Sequence, residues 1–199
     1  MSSNPQPYPI KLGNLDLQSF WDRDVLNFRV TATVPVGPAA IYFNEKPVVH
    51  WRFVAVMRQV DDSAKQAVEA IFFHVEKPYV ISPYLQVKVE FKNRLESRFG
   101  HLGEVVFDLR QGRRVTLGQV YNLVKDNEMN RFQHTGSGSG CFTWIRQLMV
   151  YITKKHWLFA AEVQKLQIFY EKTRNDHQDE YAFPPQDGAH FDVIFEEPK

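Results

Sequence analysis

The spacing of apolar residues changes near residue 114, and this change most restricts what the chain can fold into. Before it, apolar and polar residues alternate along 85–91, with Leu85, Val87, Val89 and Phe91 on one face. A period of two is typical of a β-strand, whereas the later recurrence every three or four positions is typical of a helix with one buried stripe. Strands grouped early and helices grouped late predict the α+β class.

Four other segments in the first half are rich in apolar and β-branched residues and are bounded by polar or Pro/Gly-containing stretches. These segments are 25–34, 48–57, 68–75 and 104–109. Short connections favour antiparallel pairing, because a parallel crossover needs a dozen or more residues. We therefore expect an antiparallel sheet of four to five strands.

The second half predicts two or three C-terminal helices packed against this sheet. Thr116 resembles a helix N-cap, since apolar residues follow it at helical spacing. Segments 141–153 and 160–172 repeat large apolar residues with the same period. No internal repeat is visible.

Composition predicts one folded domain. The chain has 199 residues, of which 44% are hydrophobic and 14% aromatic, which is enough for a sizeable core. Residues 1–14 are expected to be a flexible arm, because prolines and few large apolar groups precede the first patterned segment, and 15–199 a single α+β domain. Neither a secretory pattern nor a membrane-spanning run is visible, so we expect a cytoplasmic protein.

Charge and cysteine content restrict the function classes. A net charge of +1 offers no basic face for nucleic acid, and one cysteine excludes a disulfide framework within the chain. No phosphate loop or dinucleotide motif occurs, so no cofactor is predicted. No metal is predicted either, since two histidines would need a third ligand such as His101 or Asp108. We expect a small-molecule substrate, uncharged or apolar; the oligomeric state is left open.

Two histidines are candidates for a shared site. If Met57 and Ala67 face each other in a hairpin, His50 lies directly opposite His74. Side chains at opposed positions point to the same face with Cβ atoms about 4.5–5.5 Å apart. A slip of one residue would send them to opposite faces.

The single cysteine is the candidate nucleophile. The Gly/Ser run GSGSG directly precedes Cys141, and a helix is predicted to begin there. The positive end of a helix dipole favours thiolate, and backbone amides near Gly140 and Phe142 would point at a developing oxyanion. A nucleophile needs a base, so we assign that role to His50, with His74 orienting its ring.

Each of these residues also has a structural interpretation. Cys141 fits a small core residue at the start of a buried stripe, and His50 fits a hydrogen-bonded core histidine. His74 fits a solvated residue at the end of a strand. Aromatic residues are mostly core by spacing, but some can line an apolar pocket, and we assign Trp51 and Trp144 to the substrate pocket.

The order of these residues resembles that of the circularly permuted papain-like superfamily, whose best-known members are lecithin retinol acyltransferase-like proteins. The resemblance rests on His50-Trp51, on FFHVEKP at 72–78 and on Cys141. It implies a permuted papain-like fold with Cys141 as nucleophile, His50 as general base and His74 as the polar third member. Here the hairpin between the histidines is longer, and glycine replaces the asparagine that precedes the cysteine.

The chain is also similar to an uncharacterised fungal family of intracellular proteins. The similarity covers roughly 45–172 and rests on HW at His50, on a T-x-G-x-V helix start at Thr116–Val120 and on G-C-x-x-W at Gly140–Trp144. It implies a role in fungal secondary metabolism.

Three functions remain open from the sequence. The first is cysteine-dependent acyl transfer or hydrolysis of an ester, thioester or amide. The alternative is a non-catalytic or cyclase-like small-molecule-binding protein on the same scaffold, in which Cys141 is packing. The third is an interaction module that uses an exposed edge strand at 191–195 (FDVIF).

Overall fold

The computed structural model describes residues 8–35, 40–60, 67–76, 85–94, 100–133, 140–184 and 189–190. Within these ranges the protein has one mixed six-stranded sheet, two small two-stranded sheets and four helices. The α+β class is confirmed. The predicted edge strand at 191–195 lies outside the described residues.

The elements follow one another along the chain in the predicted grouping. The strands are β1 (Lys11–Leu12), β2 (Asn27–Thr33), β3 (Tyr42–Phe43), β4 (Lys46–Pro47), β5 (His50–Val60), β6 (Ala67–Glu76), β7 (Gln86–Lys92), β8 (His101–Asp108), β9 (Phe132–Gln133) and β10 (Ala189–His190). The helices are α1 (Leu17–Phe20), α2 (Leu117–Asp126), α3 (Cys141–Lys154) and α4 (Ala161–His177).

The main sheet has the order β1-β7-β6-β5-β2-β8. Every pair in it is antiparallel except β1 with β7, which is parallel. The prediction of four to five antiparallel strands is therefore corrected to six strands in a mixed sheet. The five predicted strands are all present, and the additional one is β1.

The additional strand comes from the segment predicted as a flexible arm. Lys11 and Leu12 pair with β7, the Gly13 amide donates to the Val89 carbonyl at 3.0 Å, and Asn14 exchanges two hydrogen bonds of 3.2 Å with the Phe91 backbone. Lys11 and Leu12 thus belong to the sheet, Gly13 and Asn14 are hydrogen-bonded to β7, and residues 1–7 lie outside the described part. A strand of two residues is too short to show a period of two, so the sequence pattern missed it.

The helices pack on one face of the sheet. Alternate β5 residues Trp51, Phe53 and Ala55 are buried in the same core as Leu148 of α3 and Leu166 of α4. The intervening residues of β5 face the other side, where Val54 and Val56 form a second cluster with Val68, Ala70 and Phe72. This second face also carries most of the buried charged side chains.

Helix bounds agree with the predictions to within a few residues, except that α4 continues to His177. None of the helices in the described ranges is long and apolar enough to cross a membrane.

Candidate active site

A cavity of about 350 Å³ opens at the end of the sheet where β5 begins and β6 ends. Its apolar lining is formed by Pro35, Ile41, Tyr42, Phe43, Val48, Val49, Val75, Leu85 and Pro184. Its polar lining is formed by His50, Arg52, His74, Glu76, Lys88 and Glu90, and Gly140 and Cys141 complete the wall. An apolar cleft with a few converging polar groups is typical of a small-molecule site.

The two histidines meet, but not in the predicted register. Phe53 lies opposite Phe73, whereas the predicted register would place it opposite Ile71. The strands extend to Val60 and from Ala67, with a bulge after Val56, so the hairpin does not close where the sequence suggested. Because the error is two residues, the face is preserved and the histidines are diagonal rather than direct neighbours.

A chain of polar contacts runs from His50 through His74 to Glu90. His50 Nε2 lies 3.1 Å from His74 Nδ1, and the rings are nearly perpendicular at 82°. His74 Nε2 lies 3.5 Å from Glu90 Oε2, within ion-pair distance, and makes no hydrogen bond within the described residues. His74 is buried. Glu90 is the only carboxylate of the described ranges that lies within ion-pair distance of it.

The contacts are compatible with one arrangement of the ring hydrogens. If the Nε2 hydrogen of His74 points toward the carboxylate of Glu90, the Nδ1 atom of His74 is unprotonated and accepts the Nε2 hydrogen of His50. In that arrangement the unprotonated ring nitrogen of His50 is Nδ1.

Electrostatics keep this histidine neutral. Burial lowers the pKa of His50 well below its ordinary value, and nearby His74 and Arg52 add to the shift. Burial also lowers the pKa of His74, against the opposing effect of Glu90. The contact with His74 holds the pKa of Glu90 well below its usual range, assisted by Lys88. At neutral pH the site thus has neutral imidazoles beside a carboxylate.

Cys141 reaches the cavity from the helical side. It is the first residue of α3, a helix of 14 residues, with Gly140 as N-cap. The side chain is 5% exposed and lies near Tyr170, whose pKa is raised by burial and further by Cys141. The cavity lining therefore includes the candidate nucleophile, both candidate histidines and Gly140.

The other predicted site residues lie in the core. Trp51 and Trp144 are fully buried and do not line the cavity. Trp51 packs against Phe142 and Tyr170 at ring-centroid distances of 5.1 and 5.3 Å. Trp144 donates a hydrogen bond of 2.8 Å to the Met129 carbonyl. The tryptophans support the wall from behind, because alternation turns Trp51 away from the face that carries His50.

Sequence reasoning missed two charged residues of the site, Glu90 and Arg52. Glu90 stands in the alternating segment 85–91, on the face opposite Leu85, Val87, Val89 and Phe91. Its neighbours Lys88 and Lys92 bind it at 2.8 and 3.6 Å, so this polar face is an ion-pair network. Arg52 could have been identified from the sequence, because it lies between two aromatic residues and two positions after the candidate base.

The described residues contain no cluster of three or more side chains suited to hold a metal ion. His101 begins β8 opposite Thr33, and Asp108 ends it opposite Asn27.

The chain is an α+β protein with a cavity whose lining includes two histidines. A family model described as a domain of unknown function (DUF7770) matches residues 42–191, and the chain belongs to this family. The matched range contains His50, Arg52, His74, Glu90 and Cys141. Comparison with curated proteins and with solved structures found no match.

Proposed function

We propose that this cavity carries out cysteine-dependent acyl transfer or hydrolysis on an ester, thioester or amide, on a permuted papain-like fold. The observation that carries the proposal is that one cavity is lined by Cys141, at a helix N-terminus, and by the contact chain from His50 to Glu90. A buried thiol, a neutral base and a carboxylate that orients the base are the parts that such chemistry needs.

The proposed reaction has two stages. His50 Nδ1 takes the thiol proton, and the sulfur of Cys141 attacks the carbonyl carbon to form a tetrahedral intermediate. The protonated imidazole delivers that proton to the leaving alcohol, thiol or amine as its bond to the carbonyl carbon breaks and the thioester forms. Water, or an acceptor alcohol or amine, then gives a proton to His50 and attacks the thioester; the C–S bond breaks, the acyl product leaves and His50 returns the proton to the sulfur.

The electrostatic arrangement affects each stage. With its lowered pKa, His50 is unprotonated at neutral pH but is a weaker base than an ordinary histidine, so transfer of the thiol proton depends on stabilisation of the resulting charge pair. The positive end of the α3 dipole favours the thiolate at its first residue. When His50 becomes cationic, the chain through His74 to the carboxylate of Glu90 stabilises that charge. Oxyanion binding by backbone amides near Gly140 and Phe142 is part of the proposal.

The cavity position explains how groups from two faces of the sheet can act together. His50 and His74 project from the face opposite the helices, whereas Val49 belongs to the helix-side core. The cavity is lined from both sides because it lies at the strand ends. In the proposed complex the substrate carbonyl lies beside both Cys141 and His50.

Alkylation of Cys141 tests the proposal, because it is the only cysteine in the chain and labelling is unambiguous. We expect iodoacetamide to modify the native protein at neutral pH with a pH midpoint below the ordinary cysteine value of about 8.5. His50→Asn should slow labelling at pH 7 by about 10-fold or more, since the base is removed. Intact-mass spectrometry over time gives the rates.

His156→Asn is the matched control. His156 is exposed after α3 and has a φ of 58°, a conformation that Asn tolerates. In the His156→Asn variant, iodoacetamide should modify Cys141 at the wild-type rate. Labelling that occurs only after unfolding, or a native rate unaffected by His50→Asn, would contradict cysteine catalysis.

A second function is favoured by one observation. Cys141 is packed near Tyr170, and Tyr170 stacks on Phe142 at 4.2 Å, so the sulfur has an apolar environment on the helical side. The protein would then be a small-molecule binder, or a cyclase-like protein that uses His50 for proton transfer. Slow iodoacetamide labelling in both wild type and His50→Asn would support this function.

A further inference from the structure

Arg52 is a largely buried cation in the wall of the cavity. It follows His50 by two positions in β5, so both side chains project from the same face. Its Nε atom is buried without a hydrogen-bond partner, and no hydrogen bond or ion pair of the described residues uses its guanidinium. Burial lowers the pKa of Arg52, but a guanidinium remains charged in a protein.

The carboxylates around Arg52 are engaged with other cations. Glu90 lies 2.8 Å from Lys88 and 3.6 Å from Lys92. Glu104 Oε1 accepts a hydrogen bond of 2.6 Å from Arg29. A buried charge without a hydrogen-bonded counter-charge is costly, so a ligand that supplies one gains affinity.

Other buried polar atoms lie in the same row across the sheet. Thr31 of β2 is the cross-strand partner of both Arg52 in β5 and Glu104 in β8. Thr31 Oγ1 and Glu104 Oε2, like Arg52 Nε, are buried without a hydrogen-bond partner among the described residues. Of these three residues only Arg52 lines the cavity, so it is the one that a molecule bound there can reach.

We infer that the substrate of this cavity carries a carboxylate, which binds the guanidinium of Arg52, while its apolar body lies against residues such as Phe43, Val49 and Leu85. That the bound molecule is a substrate rests on the proposed function. The planar guanidinium can bind a carboxylate in a bidentate arrangement, through two parallel hydrogen bonds.

The balance of charge disfavours a dianion. The cavity wall holds the cations Arg52 and Lys88 against the carboxylates Glu76 and Glu90. A phosphate dianion would be repelled by those two carboxylates more strongly than a single carboxylate, which can bind beside a guanidinium that has no hydrogen-bonded counter-charge among the described residues.

Strand geometry also limits the substrate length. Two residues along a strand span about 7 Å, so the side chains of His50 and Arg52 leave the strand about that far apart on the same face. The reacting carbonyl, held near His50 and Cys141, is thus a few bonds from the carboxylate. A short acyl group that bears its own carboxylate fits this spacing.

Binding of 4-phenylbutyrate and of its amide, 4-phenylbutyramide, tests the inference without requiring turnover. By calorimetry, wild type should bind the acid at least about 10-fold more tightly than the amide, as a charge-assisted pair predicts. Arg52→Gln should remove this preference. Arg113→Gln, which changes an exposed arginine, should retain it.

A second measurement on the wild type covers the case in which Arg52→Gln does not fold. The ¹⁵N-edited NMR signal of the Arg52 Nε–H group should shift on addition of 4-phenylbutyrate and not on addition of the amide. Equal affinities for acid and amide, no saturable binding of the acid, or an unshifted Arg52 signal would each overturn the inference. These readouts do not depend on Cys141, so selective acid binding with an unreactive thiol would reject the proposed function alone.

Discussion

At the residue scale, the chemistry of His50 depends on a carboxylate two strands away. The ring of His50 contacts His74, and His74 in turn contacts Glu90. Glu90 is itself held by Lys88 and Lys92. Because each contact restricts the next ring, the position of one carboxylate decides which nitrogen of His50 is basic.

Replacing Glu90 by Gln tests this dependence directly. The wild-type histidines should both be neutral at pH 7 with hydrogen on Nε2, as shown by long-range ¹H–¹⁵N NMR spectra. Glu90→Gln removes the charge that raises the pKa of His74, so that pKa should fall further and the tautomers should become mixed. Cys141 alkylation should slow by about 10-fold if His50 is its base.

Glu69→Gln provides the matched control, since Glu69 pairs with Arg23 at 2.6 Å in a separate contact. The NMR spectra of this variant should show His50 and His74 in the same tautomers as in the wild type. Unchanged tautomers in Glu90→Gln would show that Glu90 does not orient the histidines.

At the element scale, the T-x-G-x-V motif is explained by packing at the start of α2. Thr116 accepts from the Gln119 amide at 3.3 Å, while the Gln119 side chain accepts from the Thr116 amide at 2.9 Å, which is a capping box. Gly118 lies under the Trp21 ring, and Val120 is in the core. The motif is therefore structural and lies outside the cavity lining.

Gly118→Ala should destabilise the protein, although Gly to Ala in a helix is ordinarily stabilising by about 1 kcal/mol. A Cβ atom at this position would lie 2.5 Å from Trp21 Cε2, so the indole must move. We expect a loss of about 1–3 kcal/mol in the free energy of unfolding, measured by urea denaturation.

The double variant Gly118→Ala with Trp21→Leu separates crowding from other effects. If the indole causes the loss, Gly118→Ala should cost less in the Trp21→Leu background. A stabilising Gly118→Ala in the wild-type background would show that the ring moves at little cost.

At the scale of the whole molecule, the two faces of one sheet have different roles. One face carries the apolar side chains that pack against α2, α3 and α4. The other carries His50, Arg52, His74 and Glu90, which line the cavity. Burying neutral histidines on this face links the stability of the entire fold to pH.

The free energy of unfolding should fall as the pH decreases below the pKa of a histidine in the unfolded chain, about 6.5. The folded pKa values of His50 and His74 are lowered, so the native state binds fewer protons than the unfolded chain between the folded pKa and 6.5. The free energy of unfolding therefore rises with pH in that window and levels off above it. Each histidine contributes a slope of up to about 1.4 kcal/mol per pH unit.

Urea denaturation at about pH 7.5, 6.5 and 5.5 measures this slope. His50→Asn should reduce it, whereas exposed His156→Asn should leave it unchanged. The stabilising charge of Glu90 is lost only below its unfolded pKa of about 4.5, outside this range. A wild-type stability that is constant from about pH 7.5 to 5.5 would contradict the buried neutral histidines.

Much of the fold could be predicted because it depends on local patterns. The five longer strands and the three longer helices follow from periods of two and of three to four, and Thr116 is the N-cap that its sequence suggested. Strand β1 could not be predicted this way, since two residues carry no period. The hairpin register was missed because the bulge after Val56 leaves no clear trace in the sequence.

The sequence by itself determined the class of the fold, the residue types available for chemistry and the shared face of His50 and His74. That face survives a two-residue register error because side chains alternate with a period of two. Only the tertiary structure placed Glu90 beside His74, brought Cys141 to the same cavity and left Arg52 without a hydrogen-bonded counter-charge among the residues that it describes. The sequence alone gives the number and kind of charged residues. Which of them meet depends on which distant segments the sheet brings together.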